Sequence, residues 1–421
     1  MTVHQPDAPV GATPSLARGR HMLSIPGPSV MPDRVLAAMA RAMPNIYEGP
    51  LVKVSEALLA KLPGFVGTTG HAFIAAANGH GAWEMALTNT LSPGDKVLVC
   101  ESGRFAIGWG EQARMLGCEV EVMPARPRRA VDPAALEARL RADTGHAIKA
   151  ILVVQVDTAS SVWNDIAALR RAIDTAGHPA LFMVDCIACL GCIEYRMDDW
   201  GVDVTVAGSQ KGLMAPPGLG FCWASPRAMA VHVEARCRTA YWDWTARSQE
   251  GRHYLRYCGT PPVSHLYALT EAMAMLEEEG LTNVWARHGV LAGAARAAVA
   301  AWAAPGGLEF AVLEPAERSD VVTTVLTGGI DAERLRTIAE DRAGLTLGIG
   351  LGAFECRAFR IGHMGHLNPP MLLGTLGTVE ATLVSWGAPL GGSGVAAAAA
   401  HIAGHLGAET VPAGSLQGFN P

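Results

Sequence analysis

The stretch "VDVTVAGSQKGLMAPPGLGF", residues 202–221, decides the fold. It opens as an apolar strand and breaks at a glycine. A single lysine, Lys211, follows, with Gly208, Ser209, Gln210 and Gly212 around it and Pro216-Pro217-Gly218 beyond. Open α/β folds bind ligands outside the carboxyl ends of their parallel strands, which is where this lysine falls. Small neighbours let a flat ligand approach. A lone loop lysine is ordinarily solvated, so the reading of this one rests on what lies around it.

Working outward, "ALFMVD" is the preceding strand and ends at Asp185. Counting strands places it beside the strand that leads to Lys211. Further upstream, strand-like runs alternate with helical patterns. "HAFIAAA" (71–77) ends at a glycine turn, and "AWEMALTNTL" follows with Trp83, Leu87 and Leu91 on one helical face. "DKVLVC" and "AIKAILVVQV" are buried strands, and "EVEVMPA" is strand-like. "DPAALEARLRAD" starts on an Asp132 cap with Pro133 in the first turn, and "NDIAALRRAIDTAG" is capped by Asn164 and stopped by Gly177. This alternation predicts an α/β fold, a large domain with a mostly parallel mixed sheet flanked by helices. After about Gly280 the character changes. A long alanine-rich helix, then strand, helix, strand and helix, predict a small C-terminal α/β domain. The expected organisation is a flexible tail over 1–20, a large domain over 21–280, a small domain over 281–390, and a helix and tail over 391–421.

Composition narrows the class. Half of the 421 residues are hydrophobic, 17% are charged and the net charge is -6. A sizeable core is available, and nothing favours nucleic acid or an anionic membrane as partner. No apolar run reaches the roughly 18 residues of a membrane span, and no apolar signal region opens the chain. The nine cysteines do not resemble a disulfide framework, so a cytoplasmic, reducing location is expected. Three of them, Cys186, Cys189 and Cys192, follow Asp185 at C-x-x-C-x-x-C spacing. An iron–sulfur cluster or structural zinc needs a fourth ligand, and Arg196 stands where a ferredoxin-type run would continue. No metal is expected, and the thiols read as small packing residues.

The remaining signals converge on one chemistry. A lysine and a carboxylate at neighbouring strand ends suit pyridoxal phosphate, because a buried carboxylate keeps the ring nitrogen protonated. "ANGHGAWEM" (77–85) is a strand–glycine-turn–helix, whose first N–H groups form an anion site.

With these strings the chain resembles the class V, fold-type I pyridoxal-phosphate aminotransferases, and within them the serine–glyoxylate and alanine–glyoxylate group. The similarity runs from "HMLSIPGPSVMPDRVLAAM" to "FRIGHMGHLNPP". It implies that Lys211 holds the cofactor and shuttles the substrate Cα proton. Asp185 would pair with the ring nitrogen. Asn78, Gly79 and His80, helped by Gln210, would cradle the phosphate. Phe105 would stack on the ring, and Thr158 would bond its phenolic oxygen. Tyr257 and Thr260 would reach the phosphate of a neighbouring subunit, which implies a homodimer with shared sites. Arg360 would grip the substrate carboxylate. The implied reaction moves an amino group from serine, alanine or aspartate to glyoxylate or pyruvate by a ping-pong route.

The chain departs from the family pattern in places. Where the group usually has a His-Arg-Ser-like string, this chain reads "PNIYEGPLV", which makes Tyr47 the candidate substrate contact. Val156-Asp157-Thr158 replaces the usual Asn-Glu-Thr, and "AYWDWTARSQ" (240–249) brings extra aromatics toward the expected substrate mouth. Several of these features are shared with pyridoxamine–pyruvate transaminase, the alternative reading. A class V lyase such as a cysteine desulfurase is a third. Its reactive cysteine would lie well before the arginine, whereas Cys356 is only four residues from Arg360.

Overall fold

Apolar runs between glycine turns become strands here, and those without alternation are covered on both faces. The structure is a computed structural model that describes residues 15–249 and 251–407; the outer parts of the two expected tails, 1–14 and 408–421, lie outside the described residues. Down the chain the strands are β1 (Met22–Ser24), β2 (His71–Ala76), β3 (Lys96–Cys100), β4 (Glu119–Met123), β5 (Ile148–Val154), β6 (Val156–Asp157), β7 (Val162–Trp163), β8 (Leu181–Asp185), β9 (Val204–Gly208), β10 (Leu219–Ala224), β11 (Glu309–Phe310), β12 (Val322–Leu326), β13 (Leu345–Ile349) and β14 (Ala358–Gly362).

The large sheet has the order β2-β10-β9-β8-β5-β3-β4. The pairs from β9 across to β4 are parallel, and β10 runs against both its neighbours. The mixed, mostly parallel sheet is therefore as expected, and β8 and β9 are neighbours with Asp185 opposite Val206. Side chains alternate between two faces. Val99, Leu152 and Met183 pack against the helices Gly79–Thr88 and Arg104–Met115. Leu98, Ile151 and Phe182 face the helices Pro133–Ala142 and Ile166–Ala176. Trp83, Leu87 and Leu91 are buried together on the first of these faces.

The second sheet has the order β1-β13-β14-β12-β11. Helices Leu281–Trp302, Ala332–Ala343, Pro369–Ser385 and Gly394–Ala403 share its apolar core. Its first strand comes from residues 22–24, which the sequence reading grouped with the large domain; β1 pairs parallel with β13. Residues 15 and 16, expected in the tail, are tied down as well: Ser15 Oγ donates to Asp341 O at 2.9 Å and Leu16 N to Arg342 O at 2.9 Å.

Helix ends follow the capping rules with one correction. Asp132 accepts from Ala134 N, and Gly177 stops its helix in the left-handed region at φ 65°. The cap of helix Ile166–Ala176 is Asp165, not Asn164. Asn164 is buried instead, bonding Val154 O and Val131 N. Among the described residues no helix is long and apolar enough to cross a membrane.

Candidate active site

The carboxyl ends of β2, β5, β8 and β9 open on one cavity of about 320 Å³. Its walls include Asn78, Gly79, His80, Phe105, Thr158, Asp185, Gln210 and Lys211. The structure thus brings eight of the twelve sequence candidates together.

Lys211 follows β9, and its Nζ donates to Pro26 O. The segment Pro26–Ser29 straps over it: Ser29 Oγ donates to Lys211 O at 2.7 Å and Ser29 N to Gln210 O at 2.8 Å. The strap needs Gly27, which sits at φ 102°, because a Cβ there would lie 2.3 Å from the lysine Cδ. Burial pulls the Lys211 amine down to about 8; Arg360 adds to this and Asp185 opposes it. A neutral amine is therefore available near physiological pH.

Asp185 ends β8 and is 3% exposed. Its Oδ1 accepts from Ile187 N at 2.6 Å and its Oδ2 from Trp83 Nε1 at 2.8 Å. Burial pushes the carboxyl up to about 7 against those two donors, with Asp157 adding to the rise and Lys211 opposing it. A carboxylate has about four acceptor positions, so two remain for a ligand.

Asn78 caps the helix Gly79–Thr88. Its Oδ1 accepts from His80 N at 3.1 Å and Gly81 N at 3.3 Å, which leaves its amide nitrogen for a ligand. The Gly79 N–H makes no hydrogen bond to the described residues. Gln210 Oε1 is buried and has no hydrogen-bond partner among the described residues. The His80 ring lies 4.6 Å from Trp83, and burial, then Arg104, lowers its pKa.

Phe105 is held by a residue the sequence reading gave no role. Asp157 is fully buried and caps the helix Arg104–Met115: Oδ2 accepts from Phe105 N at 2.8 Å and Ala106 N at 3.2 Å, and Oδ1 from Ala159 N at 2.9 Å. Thr158 follows, and its carbonyl accepts from Arg360 Nη1 at 2.8 Å.

Four candidates stand elsewhere in the single chain. Arg360, on β14, is 7% exposed and does not line the cavity. Its Nε donates to Ile349 O at 2.6 Å, so part of the expected carboxylate fork is already engaged. Burial draws its pKa down to about 10, with Asp157 opposing. Tyr257 is turned inward, its hydroxyl against Ser55. Thr260 is exposed. Tyr47 is 70% exposed, with its ring edge-on to Tyr254. The aromatic segment packs on the anion turn rather than a substrate mouth. Trp242 lies against Gly81, Tyr241 Oη donates to Ala76 O at 3.1 Å, and Trp244 stacks on Phe73.

Besides Asp157, the sequence reading missed Trp83, Ile187 and Pro28 as lining or supporting residues. Trp83 carries a signal in the sequence, since it lies just past the first turn of the anion-site helix.

The three thiols beside Asp185 are occupied by packing. Cys186 Sγ faces Val206 O at 3.3 Å and Cys189 Sγ faces Gln155 Oε1 at 3.1 Å. Cys192 Sγ sits 2.6 Å from where a Cβ on Gly212 would be, so its compact side chain lets the turn close under the lysine loop. Burial drives all three thiols upward, Cys192 to about 12. Among the described residues no group of three His, Cys, Asp or Glu side chains is arranged to hold a metal.

A nucleophilic amine, a buried carboxylate, an aromatic ring and a helix N-terminus with an orphaned amide form a donor set that fits pyridoxal phosphate. The family model "Aminotransferase class-V" matches residues 64–353. A serine–glyoxylate aminotransferase of Methylorubrum extorquens is 41% identical over 91% of this chain and 96% of its own. An L-aspartate–glyoxylate aminotransferase of Paracoccus denitrificans is 38% identical, over 90% and 95%. The solved structure of pyridoxamine–pyruvate aminotransferase from Mesorhizobium loti superposes with a TM-score of 0.84 at 27% identity, over 91% and 97%.

Proposed function

The chain belongs to the class-V aminotransferase family, and on that premise we propose that it moves the amino group of a small amino acid (serine, alanine or aspartate) to glyoxylate or pyruvate with pyridoxal phosphate. The observation that carries the reading is Lys211 and Asp185 at the ends of paired strands, facing one cavity.

Bound there, pyridoxal phosphate supplies an aldehyde and an electron-withdrawing ring that make an amino acid's Cα–H acidic. Lys211 would anchor it and then take and return the proton at substrate Cα, its amine neutral above about pH 8. Asp185 would hold the ring-nitrogen proton. The Asn78 amide, the Gly79 N–H and Gln210 would bind the phosphate, and Phe105 would cover one ring face. Thr158 would meet the ring's phenolic oxygen. Arg360 would bind the substrate carboxylate through the guanidinium edge not given to Ile349 and Thr158. The working unit we propose is a cytoplasmic homodimer, with Tyr47 and Thr260 on the exposed surface available to a partner's site.

One observation favours the pyridoxamine–pyruvate reading: Asn78 already occupies two N–H groups of the anion turn. A half-reaction screen separates the two. The pyridoxal-phosphate-loaded protein is mixed with each amino acid, and the cofactor-free protein with pyridoxamine plus pyruvate, while absorbance is followed. The proposal expects bleaching with one or more small amino acids. Turnover of free pyridoxamine alone would replace it with the second reading, and no response to either would end both.

A further inference from the structure

Asp185 does not stand alone at the cavity floor. Its Oδ2 receives the indole N–H of Trp83 at 2.8 Å, in a bond that joins β8 to the helix Gly79–Thr88. The indole is 1% exposed and, among the described residues, has no other acceptor. Its ring meets His80 at 4.6 Å, Phe105 edge-on at 6.4 Å, and Trp109 in a stack at 6.0 Å. One side chain therefore touches the anion turn, the ring-covering residue and the carboxylate.

We infer that Trp83 is a positioning residue for Asp185: its N–H fixes the carboxylate's orientation and favours its charged form, the form able to pair with a protonated ring nitrogen. The inference rests on the cofactor reading above. Its physical basis is that a hydrogen bond to a charged group in a dry site is about twice as strong as a neutral one. Among the described residues the only other donor to this carboxylate is the peptide N–H of Ile187, which no side-chain change can tune. Burial already pushes Asp185 toward its neutral form, so the loss of one donor has a direct consequence at neutral pH.

Other charges act on the pair. Lys211 and Asp157 bear on Asp185, as do the thiols of Cys186 and Cys189 and the Tyr195 phenol; Arg360 acts on Lys211, and His80 contacts the indole. The thiols and the phenol are raised out of the relevant range. His80 is lowered from its ordinary value by burial and then by Arg104. Lys211 titrates near Asp185, so an Asp185→Asn control is required.

Two measurements test the inference. In the first, the cofactor-free protein carries ¹⁵N-indole tryptophan, and Trp83→Phe identifies the line of interest. That line is expected to move with a midpoint near pH 7 and to stay still in Asp185→Asn. A flat line in the wild-type protein, or an unchanged shift in Asp185→Asn, overturns the inference. In the second, pyridoxal phosphate binding is measured by equilibrium dialysis across pH. Trp83→Phe is expected to raise the midpoint of the pH dependence by about one unit and to weaken binding several-fold near pH 7. A packing defect would weaken binding equally at every pH, and that result overturns the inference. Failure of the wild-type protein to bind the cofactor would instead refute the proposed function, while the indole titration would still decide whether Trp83 controls the Asp185 charge.

Discussion

Asp157 ends β6, the short strand that follows β5, and Asp185 ends β8, the neighbour of β5 in the large sheet; both are buried, at 0% and 3% exposure. Their surroundings differ. Asp157 takes three peptide N–H donors and starts the helix that carries Phe105. Asp185 takes one peptide and one indole donor and keeps spare acceptor positions at the cavity wall. Burial raises both carboxyls. The first is a structural cap that gives three of its acceptor positions to peptide N–H groups. The second is a charge held ready for a partner. A buried acid is a site candidate when its hydrogen bonding is unfinished, not merely when it is buried.

The sharpest way to break this contrast is Asp185→Asn. Activity is expected to fall roughly a thousandfold, since a neutral amide cannot stabilise a protonated ring nitrogen. Stability of the cofactor-free protein should move the other way. The folded carboxyl is raised to about 7 from its ordinary unfolded value, so its contribution is fully present at low pH and is lost as pH rises through about 7. At pH 8 the unloaded variant should therefore be more stable than wild type, on the order of a few kcal/mol, read from denaturant midpoints. Arg360→Ala comes next. KM for amino and oxo acids should rise about a hundredfold, with kcat less affected, in steady-state assays. Unchanged KM for every substrate would remove Arg360 as the carboxylate grip.

Asp157→Asn should lower kcat/KM by only about tenfold but reduce unfolding free energy by about 2 kcal/mol, because the amide nitrogen faces peptide donors. If it matched Asp185→Asn in activity and spared stability, the two acids would have exchanged roles. The smallest effect belongs to Cys189→Ala. Activity should stay within about twofold, with about 1 kcal/mol lost from stability. A large activity loss with intact folding would mean the thiol turn does more than pack.

Much of this was legible in the sequence for a physical reason. Strands buried on both faces are continuous apolar runs; β8 ends at Asp185 and β9 at Gly208, and the polar Gln155 directly follows β5, marking the ligand edge. That pattern alone places Asp185 beside Lys211. β10 was missed because "LGFCWA" begins with a glycine inside a turn-rich string, and its antiparallel direction leaves no mark in composition. β1 is only three residues long and pairs with a strand more than three hundred positions away, so local pattern carries no trace of it. The Trp83–Asp185 bond spans 102 positions and depends on how a helix lies over the sheet. Asn164 and Asp165 are both good cap residues, and only the burial of Asn164 decides between them. Tyr47, Tyr257 and Thr260 do not line the cavity of a single chain; the resemblance implies a neighbouring subunit's phosphate for Tyr257 and Thr260, and the departure at residues 44–52 makes Tyr47 a substrate candidate.

The most direct test of the central claim is chemical. The protein is loaded with pyridoxal phosphate, reduced with borohydride, digested and mapped by peptide mass. The account predicts one stoichiometric adduct on Lys211 and none in Lys211→Ala. An adduct on any other lysine, or none in the wild-type protein, would contradict it.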